Sequence, residues 1–162
     1  MDVNFWGVVR MTKTFLPELI ETKGAVVNIS SVFGLIGFPG QSHYCASKFA
    51  VRGFSETIAQ ELEAQGVQVT AVLPGGVATN IANNSVIDDL GDEFKDEKSV
   101  RANFDKVART SPEKAAEIIL KGTAKGKSRI YVGADSHFID AIQRLLPTGY
   151  KRIMQRILKP SS

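Results

Sequence analysis

Tyr44 and Lys48 stand four residues apart in Tyr44-Cys45-Ala46-Ser47-Lys48. That spacing puts both side chains on one face of an α-helix. An ammonium beside a phenol favours the phenolate and lowers its pKa. A tyrosine tuned in this way can give or take a proton near neutral pH. Two solvent-facing residues on an amphipathic helix produce the same pattern, so its meaning depends on its surroundings. Upstream, Asn28-Ile29-Ser30-Ser31 ends a short apolar run. If that run is a strand, Ser31 lies at its carboxyl end, where open α/β sheets bind ligands. A serine there can hydrogen-bond a substrate oxygen, or it can simply cap the strand.

The elements that must position these residues are legible from periodicity. Residues 3–22 carry apolar side chains at three- and four-residue spacings, which predicts a helix with Pro17 awkward inside it and Gly24 as its stop. Ala25–Ser30 is rich in β-branched residues and reads as a buried parallel strand. A glycine-bearing loop, 31–43, leads to a second helix over 44–65 with Gly66 after its end. Val67–Leu73 reads as a second strand, broken by Pro74-Gly75-Gly76. Residues 80–110 have no clear period and are predicted to be loop with short helices. Ser111-Pro112-Glu113 combines a cap, a first-turn proline and an acid at the positive end of the dipole. A third strand is predicted at 128–133, then amphipathic segments near 135–146 and 149–159. Alternating helices and strands argue for a parallel α/β sheet with right-handed crossovers.

Composition bounds the partners. The 162 residues suit one domain, and 43% hydrophobic with 23% charged residues is an ordinary globular balance. A net charge of +3, with no dense Lys/Arg block interleaved with aromatics, gives no nucleic-acid signature. Cys45 is the single cysteine, so it has no internal disulfide partner, and a reducing, cytoplasmic setting is expected. One cysteine and two distant histidines make no zinc set, and no metal is expected. No apolar run reaches the roughly 18 residues of a membrane span, and the N-terminus has no signal-peptide pattern.

Taken together, Asn28-Ile29-Ser30-Ser31, Tyr44-x-Ala46-Ser47-Lys48 and Pro74-Gly75-x-Val77-x-Thr79 resemble, in order and spacing, the short-chain dehydrogenases/reductases. The resemblance is densest from Asn4 to Thr79. It implies a partial Rossmann-type, doubly wound parallel sheet, comprising the last three strands with their helices. It further implies an oxidoreductase using NAD or NADP on a small carbonyl or alcohol substrate. Tyr44 would be the acid/base, and Lys48 would lower its pKa and hold the nicotinamide ribose. Ser31 would orient and polarise the carbonyl. Asn4, in Val3-Asn4-Phe5-x-Gly7, would be the helix asparagine that holds a relay water. Pro74, Gly75, Val77 and Thr79 would face the cofactor, with Tyr44 and Lys48 also touching it. Cys45 stands where the family often has serine and is read as packing.

The same resemblance implies that the first, dinucleotide-binding half is missing. Gly34, Gly37 and Gly40 recur every three residues, unlike the G-x-G-x-x-G turn that cradles a pyrophosphate. Residues 1–162 are therefore expected to be a single partial Rossmann-like domain, inactive alone, with one edge of the Ala25–Ser30 strand left unpaired. The alternative is a catalytically silent subunit that pairs with a full-length relative. Family members commonly form homo-oligomers through helices like 3–22 and 44–65. The apolar loop Phe33–Phe38 leans towards a hydrophobic substrate. Residues 148–159 read as a basic amphipathic helix, with Tyr150, Ile153, Met154, Ile157 and Leu158 on one face. Packing on the domain or a neighbouring subunit is expected, and contact with an anionic membrane surface is the alternative.

Overall fold

A computed structural model describes residues 1–79 and 109–158, with side chains through Met154. A single π-helical turn, Asp2–Trp6, opens into α1, Gly7–Thr22. Pro17 stays inside α1 rather than ending it. The helix stops in a Schellman arrangement, with Gly24 N bonded to Leu19 O and Lys23 N to Ile20 O. The left-handed residue is Lys23, at φ 49°, not Gly24 as the sequence suggests.

Strand β1 is Ala25–Ile29 and β2 is Gln68–Pro74. Between them lie a 3-10 turn at Val32–Gly34, helix α2 at Ser42–Glu61 and a second 3-10 turn at Glu63–Gln65. Gly66, at φ 76°, takes the left-handed exit that the sequence predicts. Helix α3 is Pro112–Ala124, β3 is Arg129–Val132, α4 is Ala134–Leu145 and α5 is Tyr150–Leu158. The loop predicted for 80–110 lies outside the described residues except at its last two positions. There Thr110 forms a parallel bridge with Val77.

The three strands pair in parallel in the order β1-β2-β3, with Ile29 opposite Val72 and Val72 opposite Ile130. Central β2 is buried from Val69 to Leu73 because it has a neighbour on each side and helices on each face. Alternate side chains divide between the faces, as the two-residue strand period requires. Val69 packs with Val26, Ile58 and Leu62 under α1 and α2, while Val72 packs with Ala115, Ile130 and Val132 under α3. This is a doubly wound α/β arrangement of Rossmann type. β1 is not buried throughout, as its composition suggests. Val26 and Asn28 are buried, whereas Val27 and Ile29 remain 36% and 45% exposed on the other face.

A third cluster joins the loop after Ser31 to the end of the chain. Leu35, Ile36, Leu73 and Tyr150 are buried together, with Met154 packed against them. The Tyr150 hydroxyl accepts a bond from Gly37 N at 3.1 Å. The apolar face of α5 is therefore turned onto the domain at Tyr150 and Met154. Among the described residues, no helix is long and apolar enough to cross a membrane.

Candidate active site

The carboxyl ends of β1 and β2 lie side by side, because Ser30 N donates to Val72 O at 2.8 Å. Chain reversal just past these strand ends brings separate motifs to one end of the sheet. Ser31 begins the 3-10 turn in extended conformation, and its Oγ accepts from Phe33 N at 3.2 Å. The Ser31 side chain faces the Tyr44 phenol closely enough to favour its ionised form. Ser30 donates to the Lys48 carbonyl at 2.8 Å and so ties the strand end to α2.

Tyr44 and Lys48 share a face of α2, with the Lys48 ammonium 5.6 Å from the centre of the Tyr44 ring. The ammonium donates to the Ile29 carbonyl at 3.0 Å. Burial raises the Tyr44 pKa, the Ser31 side chain pulls it down, and the Cys45 thiol raises it further, so the net direction is upward. Burial lowers that of Lys48. The sequence-based expectation that Lys48 lowers the Tyr44 pKa is thus not the net effect here. Removing the phenolate from water is the largest cause of the shift, and the ammonium gives one of its bonds to a backbone oxygen. Phe33 meets the Tyr44 ring edge-on at 6.1 Å and contacts Phe38 at 4.9 Å, which leaves an apolar wall beside the phenol.

Asn4 lies in the π-helical turn, a deviation that often marks functional positions. Its Nδ2 is 3.4 Å from Ser47 Oγ, which donates to the Tyr44 carbonyl at 2.7 Å. Asn4 and Lys48 line the same cleft between α1 and β1. Cys45 is buried beside them.

Pro74 is the last residue of β2, and Gly75 N continues the sheet by bonding Val132 O at 2.9 Å. Ala78 N bonds Thr110 O at 2.8 Å, and Thr79 is exposed at the end of the described segment. The structure adds a residue that the sequence did not mark. Asp135, in the first turn of α4, accepts from Gly76 N at 2.7 Å. A β-carbon at Gly75 would lie 2.0 Å from that carboxylate. Gly75 is therefore needed for close approach, and Asp135 holds the turn. Arg52 was also missed; its Nη1 donates to the Gly34 carbonyl at 2.8 Å. The two glycines were the available signals, but nothing local named their distant partners. Among the described residues, no group of three His, Cys, Asp or Glu side chains could hold a metal.

This geometry coincides with relationships seen in other proteins. The short chain dehydrogenase family profile matches residues 1–89. The SadH protein of Mycobacterium tuberculosis is 45% identical over 158 residues, covering 95% of this chain and 56% of SadH. A Burkholderia cenocepacia short chain dehydrogenase solved in complex with NADP superposes with TM-score 0.73 at 24% identity, over 98% of this chain and 59% of that one. A Burkholderia phymatum short chain dehydrogenase/reductase solved with NAD gives 0.67 at 22%, over 99% and 59%. The chain thus spans little more than half the length of these proteins. Its serine, tyrosine and lysine, gathered at one end of a parallel sheet, accompany a profile match over more than half its residues and an extended match to SadH: the chain belongs to the short-chain dehydrogenase/reductase family.

Proposed function

We propose that this chain is the catalytic half of an NAD- or NADP-dependent oxidoreductase acting on a carbonyl or alcohol, with Tyr44 as its acid/base. The observation that carries this reading is the gathering of Ser31, Tyr44 and Lys48 at the carboxyl end of a parallel sheet, with the Lys48 ammonium 5.6 Å from the centre of the Tyr44 ring. In the reducing direction, Ser31 donates to the carbonyl oxygen and orients it. Tyr44 then gives its phenolic proton to that same oxygen. In the oxidising direction, Tyr44 takes the proton back. An ammonium near the phenolate left after donation stabilises that charge. Asn4, through Ser47, helps to fix the helix segment that carries Tyr44.

The chain's residues fit a nicotinamide riboside. Lys48 has three donors, and its one bond among the described residues is to Ile29 O, which leaves donors for ribose hydroxyls. Gly75 opens the Pro74–Thr79 turn to close approach, and beyond it the Thr79 N–H and hydroxyl both turn back to the Val77 carbonyl, at 2.9 and 3.5 Å, which orders the end of the turn. A bound nicotinamide would exchange a hydride with the carbonyl carbon. The Phe33–Phe38 wall beside Tyr44 suits an apolar substituent on the substrate.

A second reading, a silent subunit that pairs with a full-length relative, is favoured by Val27 and Ile29, exposed on one face of β1, whose outer edge pairs with no strand among the described residues. One comparison tests both. The chain alone should show no turnover and no micromolar binding of NADH or NADPH by calorimetry. A chimera in which it replaces its counterpart in SadH should reduce apolar ketones. An inactive but folded, cofactor-binding chimera would reject the first reading and leave the second.

A further inference from the structure

Beyond the reacting groups, a line of side chains joins β3 to the turn that carries Ser31. Tyr44, Lys48, Arg52 and Glu56 follow at four-residue spacing along α2 and so share one face. Arg129 on β3 is paired with the Glu56 carboxylate and donates to the Tyr131 hydroxyl at 3.3 Å. Glu56 Oε1 lies 3.7 Å from Arg52 Nε, and Arg52 Nη1 reaches the Gly34 carbonyl. Gly34 ends the 3-10 turn, where carbonyls lack partners within the helix. A planar guanidinium is well suited to reach such a carbonyl from another element. Ser31 caps that turn and faces Tyr44, whose ring Phe33 of the same turn meets edge-on.

We propose that Arg52 is a positioning residue for the Ser31–Tyr44 pair: by holding the Gly34 carbonyl, it fixes the turn that aims the serine hydroxyl at the phenol. This rests on the reading of Tyr44 as proton donor, but its test follows the contact in the chain itself, not turnover. Either idea can therefore fail without the other. Among the described residues, the polar and charged groups that face Tyr44 are Ser31 from the turn, and Lys48 and Cys45 on its own helix, with His43 adjacent in sequence. Removing the Arg52 charge also changes the field at Tyr44, so the test must separate that effect from a loosened turn.

The experiment is an NMR titration of the chain carrying ring-labelled tyrosine, with Tyr44 assigned against Tyr131 and Tyr150 by Tyr44→Phe. Ser31→Ala should move the Tyr44 midpoint upward, because it removes the group that lowers it. Arg52→Met should move it in the same direction, and Arg52→Lys should restore most of the original value. In a Ser31→Ala background, Arg52→Met should add no further shift, since two residues acting through one contact are not additive. An unmoved midpoint in Arg52→Met would overturn the proposal. So would an undiminished shift in the Ser31→Ala background, which would mean that Arg52 acts through its field alone. If Arg52→Met does not fold, Arg52→Gln, which shortens the reach while keeping a polar group, is read in the same way.

Discussion

A β-carbon on Gly34 would lie 2.4 Å from Ser30 Oγ and 2.8 Å from the Lys48 carbonyl oxygen, whereas one on Gly53 would meet nothing within 4 Å. Both glycines sit close to the site in sequence, and they should respond with opposite signs. Gly34→Ala forces the serine turn away from α2 and should destabilise the chain by about 1–3 kcal/mol. Gly53→Ala fills open space in a helix interior and should stabilise it by roughly 0.5–1 kcal/mol. Urea unfolding of both variants measures this. Equal effects would mean that the turn does not press on the helix. The same close packing explains the ionisation pattern. Burial raises the Tyr44 pKa and lowers that of Lys48, so both are pushed towards their neutral forms.

Helix α3 shows local sequence acting as it should. Ser111 Oγ accepts from Lys114 N at 3.2 Å, Pro112 occupies the first turn, and Glu113, exposed at the N-terminus, has its pKa lowered by backbone and Ser111 hydrogen bonds. Ser111→Ala should cost about 1 kcal/mol in urea unfolding, and an unchanged midpoint would rule out the cap. This start was legible because caps are read within four residues. The parallel sheet was legible from the alternation of helices and strands, and the shared helix face of Tyr44 and Lys48 from their four-residue spacing, whereas Ser31 joined them only through the resemblance of the ordered motifs. Asp135 was not legible, since its partner Gly76 lies on a different element, far along the chain. Arg52 looks like one more cation on an amphipathic helix until Gly34 is brought to it. Lys23 in the left-handed position and Pro17 inside α1 went against local propensity because tertiary packing overrides it. The exposed face of β1 was obscured by composition, since an apolar run reads as buried whether or not its cover is present.

Across the whole molecule, three parallel strands gather Ser31, Tyr44 and Lys48 at one end of the sheet, and the turn Pro74–Thr79 lies at the same end. The chain covers 56% of SadH, and among the described residues no strand pairs with the outer edge of β1, beside which apolar residues are exposed. The division of labour proposed here gives proton handling to this half and phosphate binding to the remainder of a longer fold. The most direct measurement of that claim is turnover by Tyr44→Phe in the SadH chimera, with nicotinamide affinity determined in parallel by calorimetry. Loss of a general acid should lower kcat by about 10²–10⁴-fold while leaving cofactor binding within a few-fold. Retention of more than about a tenth of the original turnover, a loss well short of that range, would contradict Tyr44 as the acid/base.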